Sequence, residues 1–177
     1  MKKIYSILVV CLSIVSFSSM AQMSVGLGGG LLKSTEENAE GLFGGEVNFK
    51  YDVTDQIRAG VNLGFYQKTE ELLGLKYGSS TAPISVLGEY SFLEGKFRPY
   101  LGLHLGAMRI GAKVGNSKTS ETYFSLAPVV GADYQVTDNI GVNFNFKYGF
   151  AFYKNEILDE VENFSTTSPN IGVFYKF

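Results

Sequence analysis

From Ile140 to Tyr153 apolar and polar residues alternate almost without error. Ile140, Val142, Phe144, Phe146, Tyr148, Phe150 and Phe152 fall on one side, and Gly141, Asn143, Asn145, Lys147, Gly149, Ala151 and Tyr153 on the other. Side chains of a strand change face at every residue, so this segment has one apolar, aromatic-rich wall and one polar or small wall. An apolar wall of that length must be buried, either against a core or in lipid.

The same period of two recurs in eight segments, near 23–33, 41–52, 56–68, 81–93, 96–111, 121–136, 139–154 and 167–177. In the second, Phe43, Val47, Phe49 and Tyr51 oppose Glu46, Asn48 and Lys50; in the third, Ile57, Val61, Leu63 and Phe65 oppose Arg58, Asn62 and Tyr66. The pattern predicts strands throughout. Three connections are short and turn-rich: Val53-Thr54-Asp55, Leu93-Glu94-Gly95 and Thr137-Asp138-Asn139. The other four, near 34–40, 69–80, 112–120 and 155–166, are longer and polar. An even number of strands with two alternating kinds of connection is the asymmetry of an outer-membrane barrel, with short periplasmic turns and longer outer loops.

Alternation alone also fits a soluble barrel with its apolar face inward. Two features favour the lipid-facing orientation. Glycines crowd the polar face, where they are poor solvent cover but leave room in a narrow bore. Aromatics on the apolar face gather near strand ends (Tyr51, Phe65, Tyr90, Phe92, Tyr134, Phe152, Tyr175 and Phe177), as interfacial girdles do. The expected fold is therefore all-β, an eight-stranded antiparallel transmembrane up-and-down barrel.

The N-terminus reads as an export signal. Lys2 and Lys3 precede the apolar run Ile4 to Val15, and Ser19-Met20-Ala21 is a small-x-small cleavage site. This divides the chain into a signal peptide, 1–21, and a barrel domain, 22–177. The single cysteine, Cys11, lies in the signal, which excludes disulfide and thiolate chemistry from the mature chain. Loss of the two signal lysines takes the net charge from −2 to about −4, which argues against a nucleic-acid partner.

The strand-turn-strand pieces Tyr51-Asp52-Val53-Thr54-Asp55-Gln56-Ile57 and Tyr134-Gln135-Val136-Thr137-Asp138-Asn139-Ile140, with Arg98-Pro99-Tyr100-Leu101-Gly102 and the end Gly172-Val173-Phe174-Tyr175-Lys176-Phe177, carry a resemblance. The chain resembles the small outer-membrane β-barrel proteins of Gram-negative bacteria, the group that includes the OmpA transmembrane domain and OmpW-type barrels. The resemblance spans 22–177. It implies an outer-membrane location, lipid and lipopolysaccharide as surroundings, a monomer, and an unknown ligand or partner at the outer loops. It also implies that Ile171, Val173, Tyr175 and Phe177 are the C-terminal signal read by the barrel-assembly machinery. The peptidoglycan-binding domain of full OmpA-type proteins is not expected, nor is wall tethering.

Eight strands leave a bore just wide enough to be filled by side chains. The inward set includes Glu46, Glu89 and Asp133 against Lys50, Arg58, Arg98, Lys147 and Lys176, with Asn62, Tyr66, Tyr100, Asn143 and Asn145 to complete hydrogen bonds. Unpaired buried ions are costly, so ion pairs across the lumen are expected, Glu89 with Arg98 foremost. Lys50, Arg58, Glu89, Arg98 and Asp133 belong toward the periplasmic end, and Glu46, His104 and Lys147 nearer the middle. Such a plug favours a structural or surface-interaction role. The alternative is a narrow passage for small or hydrophobic solutes, which needs Leu32, Leu87 and Met108 to form one cavity.

Catalysis is not expected. The only histidine, His104, has Ser85 as a conceivable partner on the neighbouring strand, but both belong in a packed lumen rather than at the membrane boundary. No cofactor or metal is expected. Gly26-Leu27-Gly28-Gly29-Gly30 resembles a dinucleotide fingerprint but has Leu31 in place of the glycine at its sixth position and lacks the following helix. The acidic stretch 155–163 matches no calcium loop and reads as solvated charge, with a short helical turn around Ile157, Leu158 and Val161. Pro83 and Pro169 are expected near strand starts and Pro99 after a turn. Pro128 lies deeper in its strand and predicts a bulge or local break between Ala127 and Val129.

Overall fold

The alternation becomes a closed cylinder. The computed structural model describes residues 22–37, 39–72, 75–115, 117–155 and 160–177. Among these are eight strands: β1 (Met23–Ser34), β2 (Gly41–Asp52), β3 (Ile57–Leu72), β4 (Leu75–Ser91), β5 (Phe97–Val114), β6 (Ser117–Gln135), β7 (Ile140–Asn155) and β8 (Glu160–Lys176). Each pairs antiparallel with the next, and β8 returns to β1 to close the barrel. The expected signal peptide, 1–21, lies outside the described residues, as does most of the acidic stretch around 156–159.

Burial follows parity, with the apolar side outward. Phe144 is 54% exposed, Val61 41% and Ile171 68%, whereas Asn62 is 3% exposed and Asp133 4%. A water-soluble fold reverses this order. Here the wall is paired strand to strand apart from the rungs lost beside three prolines, so the greasy exterior can sit in hydrocarbon with few orphaned N–H or C=O groups. No helix among the described residues is long and apolar enough to cross a membrane; the strands themselves cross. Aromatic pairs stack edge-on at the periplasmic end, Tyr90 with Phe92 and Tyr175 with Phe177, their ring centroids 5.5 and 5.1 Å apart.

Two turns share the sequence Val-Thr-Asp-x-Ile and the same hydrogen bonds. The amides of Val53 and Thr54 donate to the Ile57 carbonyl, and those of Val136 and Thr137 donate to the Ile140 carbonyl, at 2.8–3.1 Å. In each, the threonine hydroxyl accepts from the isoleucine amide, at 2.9 Å for Thr54 and 3.0 Å for Thr137. The third short turn uses Gly95 at φ 98°, a conformation that disfavours other residues.

The outer connections differ from expectation. β3 and β4 stay paired as far as Leu72 opposite Leu75, β5 and β6 as far as Val114 opposite Ser117, and β7 and β8 as far as Asn155 opposite Glu160. The described parts of 69–80, 112–120 and 155–166 are thus mostly continuations of strands, not loops. About 10 residues suffice to cross a bilayer as a tilted strand, and β3 to β8 have 16–19. The surplus stands in water, where both faces are wet and hydrophobic alternation lapses while backbone pairing continues.

The prolines correct a second expectation. Because β4 and β8 start earlier than their apolar pattern does, Pro83 and Pro169 are mid-strand. Each of Pro83, Pro128 and Pro169 keeps its ladder on one side and loses two rungs on the other, where the missing N–H should donate. The register does not shift across Pro128, so the break forms without a bulge. Gly26 to Gly30 run along β1, paired on both sides.

Candidate functional site

Inward parity on all eight strands assembles the lumen in three tiers. At the periplasmic rim, Asp52 accepts Lys176 at 2.8 Å and Arg98 at 3.4 Å, and Arg98 also donates to the Asp55 carbonyl at 2.7 Å. Above it, Glu89 binds Lys50 at 2.9 Å and Arg58 at 2.8 Å, and Arg58 also pairs with Asp133. Asn143 donates to Asp133 and, at 2.9 Å, to the Tyr100 hydroxyl. The Tyr100 ring lies about 5 Å from both Lys50 and Arg58, an added cation–π attraction. Gly131 makes room for that ring, since a Cβ there would lie 2.5 Å from it.

In the middle tier Lys147 pairs with Glu46. Asn145 donates to Glu46 at 3.3 Å and to Asn143 at 2.8 Å, tying the two tiers together. Tyr66 donates to Asn170 at 2.7 Å, and Asn170 donates to Asn145 at 3.3 Å and to Ser168 at 3.1 Å. The periplasmic tier of Lys50, Arg58, Glu89 and Asp133 is internally neutral, and so is the Glu46–Lys147 pair. Neutrality within these two buried tiers is what a low-dielectric bore demands; the more exposed rim group of Asp52, Arg98 and Lys176 carries one excess positive charge.

Cavities between the tiers are small, about 40, 20 and 10 Å³. Above Tyr66 the bore widens into a mouth of about 390 Å³. Leu32, Leu42, Met108, Ile110 and Phe164 supply its apolar lining, with Glu40, Lys68 and Glu70 at the edge. Lys68 binds both acids, at 2.8 and 2.7 Å. Leu32 and Met108 share the mouth and the 40 Å³ cavity beneath it, but Leu87 lines a separate void deeper in the bore. The three do not make one cavity.

A closed, outwardly apolar barrel of eight antiparallel strands agrees with a family comparison. The model of the outer membrane protein beta-barrel domain matches residues 7–177. The chain belongs to that family. Among solved structures, the outer-membrane barrel is similar to Neisserial surface protein A (TM-score 0.69, 20% identity, covering 88% of this chain and 97% of that one). It is also similar to Ail, the attachment invasion locus protein of Yersinia pestis, in complex with the heparin analogue sucrose octasulfate (0.60, 15%, 88% and 97%). A third is the outer membrane protein OprG from Pseudomonas aeruginosa (0.57, 17%, 88% and 96%). At these identities the likeness is one of fold. A search of curated proteins returns no match.

Glu46, Lys50, Arg58, Asn62, Glu89, His104, Asp133 and Asn143 are buried in this outer-membrane barrel, with Lys147 nearly so; Arg98 and Lys176 occupy the rim. The expected Glu89–Arg98 pair does not form. β4–β5 register sets Glu89 opposite Gly102 and β3–β4 register sets it opposite Arg58, which leaves Arg98 lower, at the rim. Its partner Asp52 was missed, although one more step of β2 parity beyond Lys50 leads to it. Asn170, likewise on the polar side of its strand, links Tyr66 to Asn145 within the middle tier. Ser85 and His104 do approach, Oγ to Nδ1 at 3.4 Å, within the bore. Ile171, Val173, Tyr175 and Phe177 all lie on the lipid side of β8.

Proposed function

We propose that this chain is an outer-membrane barrel with a bore closed to ions, whose role is structural or surface-interacting through its outer mouth and ribbons. The observation that carries this reading is the size of the voids between the tiers. At about 40 Å³ or less each, they hold one to a few waters, since one water needs roughly 10–15 Å³. A hydrated ion has no comparable space, and each tier is locked by hydrogen-bonded charges. On this reading residues 1–21 are a cleaved export signal, the barrel is a monomer without catalytic function, and the terminal aromatic motif engages the assembly machinery.

Planar-bilayer recording tests it. Purified, heat-modifiable protein should give no steady single-channel current. A reproducible open level would reject the closed bore.

A second reading has one observation in its favour: Leu32 and Met108 line a common apolar mouth. It is that the mouth holds a small apolar compound without passing it inward. Binding of an apolar fluorescent dye, lost in Met108→Arg, is the expected result; unchanged binding in that variant would dismiss it.

A further inference from the structure

The outer flank of the four strands β3 to β6 carries a charge pattern at odds with the acidic chain. Leu63, Ile84, Ala107 and Phe124 form a wholly apolar row on the lipid side. Two residues further out along β5, on the same face, stands Arg109. Two further is Gly111, opposite Ser120, and two further again is Lys113, directly opposite Lys118. These residues edge a groove of about 500 Å³ that no Asp or Glu lines among the described residues. The nearest acid on β6, Glu121, has the opposite parity and is engaged by the Tyr123 hydroxyl.

Arg109 is held by the Ser120 hydroxyl at 2.8 and 3.3 Å, with no carboxylate partner among the described residues. Lys113 and Lys118 have none either, and like charges directly across a strand pair destabilise it. The β6–β7 ladder ends at Phe124 opposite Phe152, so the β6 side of the groove is an open edge. Four residues of strand separate Arg109 from the lysine pair, roughly 13 Å. Two cationic stations therefore stand one above the other, starting immediately outside the apolar belt.

We propose that this groove binds a multiply phosphorylated lipid headgroup of the outer leaflet, with Arg109 taking the phosphate nearer the acyl chains and the Lys113–Lys118 pair a second phosphate further out. Parity decides for a lipid over a soluble anion. The cations share a face with the membrane belt, whereas Met108 and Ile110, on the opposite parity, line the mouth. The anion removes the repulsion between the two lysines and satisfies a guanidinium that has only a hydroxyl. This inference rests on the membrane orientation of the barrel and is independent of whether the bore conducts.

The test uses full-length protein refolded in detergent, with diphosphorylated lipid A and its dephosphorylated form as probes and native mass spectrometry as readout. The phosphorylated lipid should bind at least about tenfold tighter. Each of Arg109→Gln, Lys113→Gln and Lys118→Gln should weaken it about fivefold, the worth of one basic residue near an anionic surface. The triple variant should abolish discrimination, and Lys96→Gln, at a periplasmic turn, should change nothing. Heat-dependent gel migration checks folding, and the single variants carry the test if the triple variant fails to fold. Equal binding of the two lipids, or binding indifferent to these substitutions, would overturn the proposal. So would groove-dependent binding of sucrose octasulfate without discrimination between the lipids, which would make the groove a receptor for soluble polyanions.

Discussion

The bore below Tyr66 and the ribbons above it are built from the same strands but obey different rules. Below, each residue has one dry neighbourhood on either side of the wall, hydrocarbon outside and a packed polar lumen inside. Alternation is strict there, and buried charge is neutralised tier by tier. Above, both faces meet water, so composition relaxes to Ser, Thr, Lys and Glu while the hydrogen-bonded ladder runs on. The contrast shows that hydrophobic period reports environment and not strand pairing as such. It also predicts where substitutions are felt.

The largest effect should come from the lower bore. Arg58→Ala leaves Glu89 and Asp133 without their shared cation and should cost about 3–5 kcal/mol, measured by urea unfolding in lipid vesicles. A loss below about 1 kcal/mol would mean that the tier is hydrated and weakly coupled. Next is a pair of identical replacements in the two regions. Phe146→Lys, at the middle of the β7 lipid face, should cost about 2–4 kcal/mol, while Thr119→Lys, in the ribbon, should stay within about 0.5 kcal/mol. Equal costs would erase the distinction between the regions.

A smaller loss, about 1–3 kcal/mol, is expected for Gly131→Ala, whose methyl group meets the Tyr100 ring and the Phe144 carbonyl. Adding Tyr100→Phe should recover none of that loss, because the ring and not only its hydroxyl occupies the space. The smallest effect lies at the mouth. Hydrogen bonds to Glu40, and then to Glu70, hold the half-buried Lys68 above its ordinary pKa. A raised lysine contributes stability that is fully present below its unfolded value, near ~10.4, and is lost as pH rises through the folded value. Wild type and Lys68→Met should therefore run parallel from about pH 6 to 9 and converge only in alkaline solution above ~10.4.

Much of the lower barrel was legible in the residues. The inward and outward sets of β2 to β5 and β7 follow from parity alone, and the repeated Val-Thr-Asp-x-Ile turns anchor two hairpins in matching geometry. Partner choice across the lumen was not legible. Parity says that Glu89 and Arg98 both face in, but the stagger between successive strands decides their heights, and it put Arg58 beside Glu89 instead. The ribbons were hidden for a different reason. Segments such as Gly78 to Thr81 and Lys118 to Glu121 carry no hydrophobic alternation, so nothing in their pattern separates a wet strand from a loop. The same blindness moved Pro83 and Pro169 from strand starts into strand interiors.

The central claim, apolar residues outward and ions within, is most directly tested by single cysteines labelled with a nitroxide in lipid vesicles. Cys11, the sole native cysteine, falls within the proposed export signal, so the barrel strands carry no background thiol. Labels at Val61, Phe144 and Phe146 should be relaxed strongly by oxygen dissolved in the bilayer and hardly at all by a water-soluble nickel chelate. Labels at Asn62 and Lys147 should be shielded from both. If Phe144 and Phe146 are shielded while Asn62 and Lys147 collide freely with the aqueous reagent, the barrel is turned the other way out.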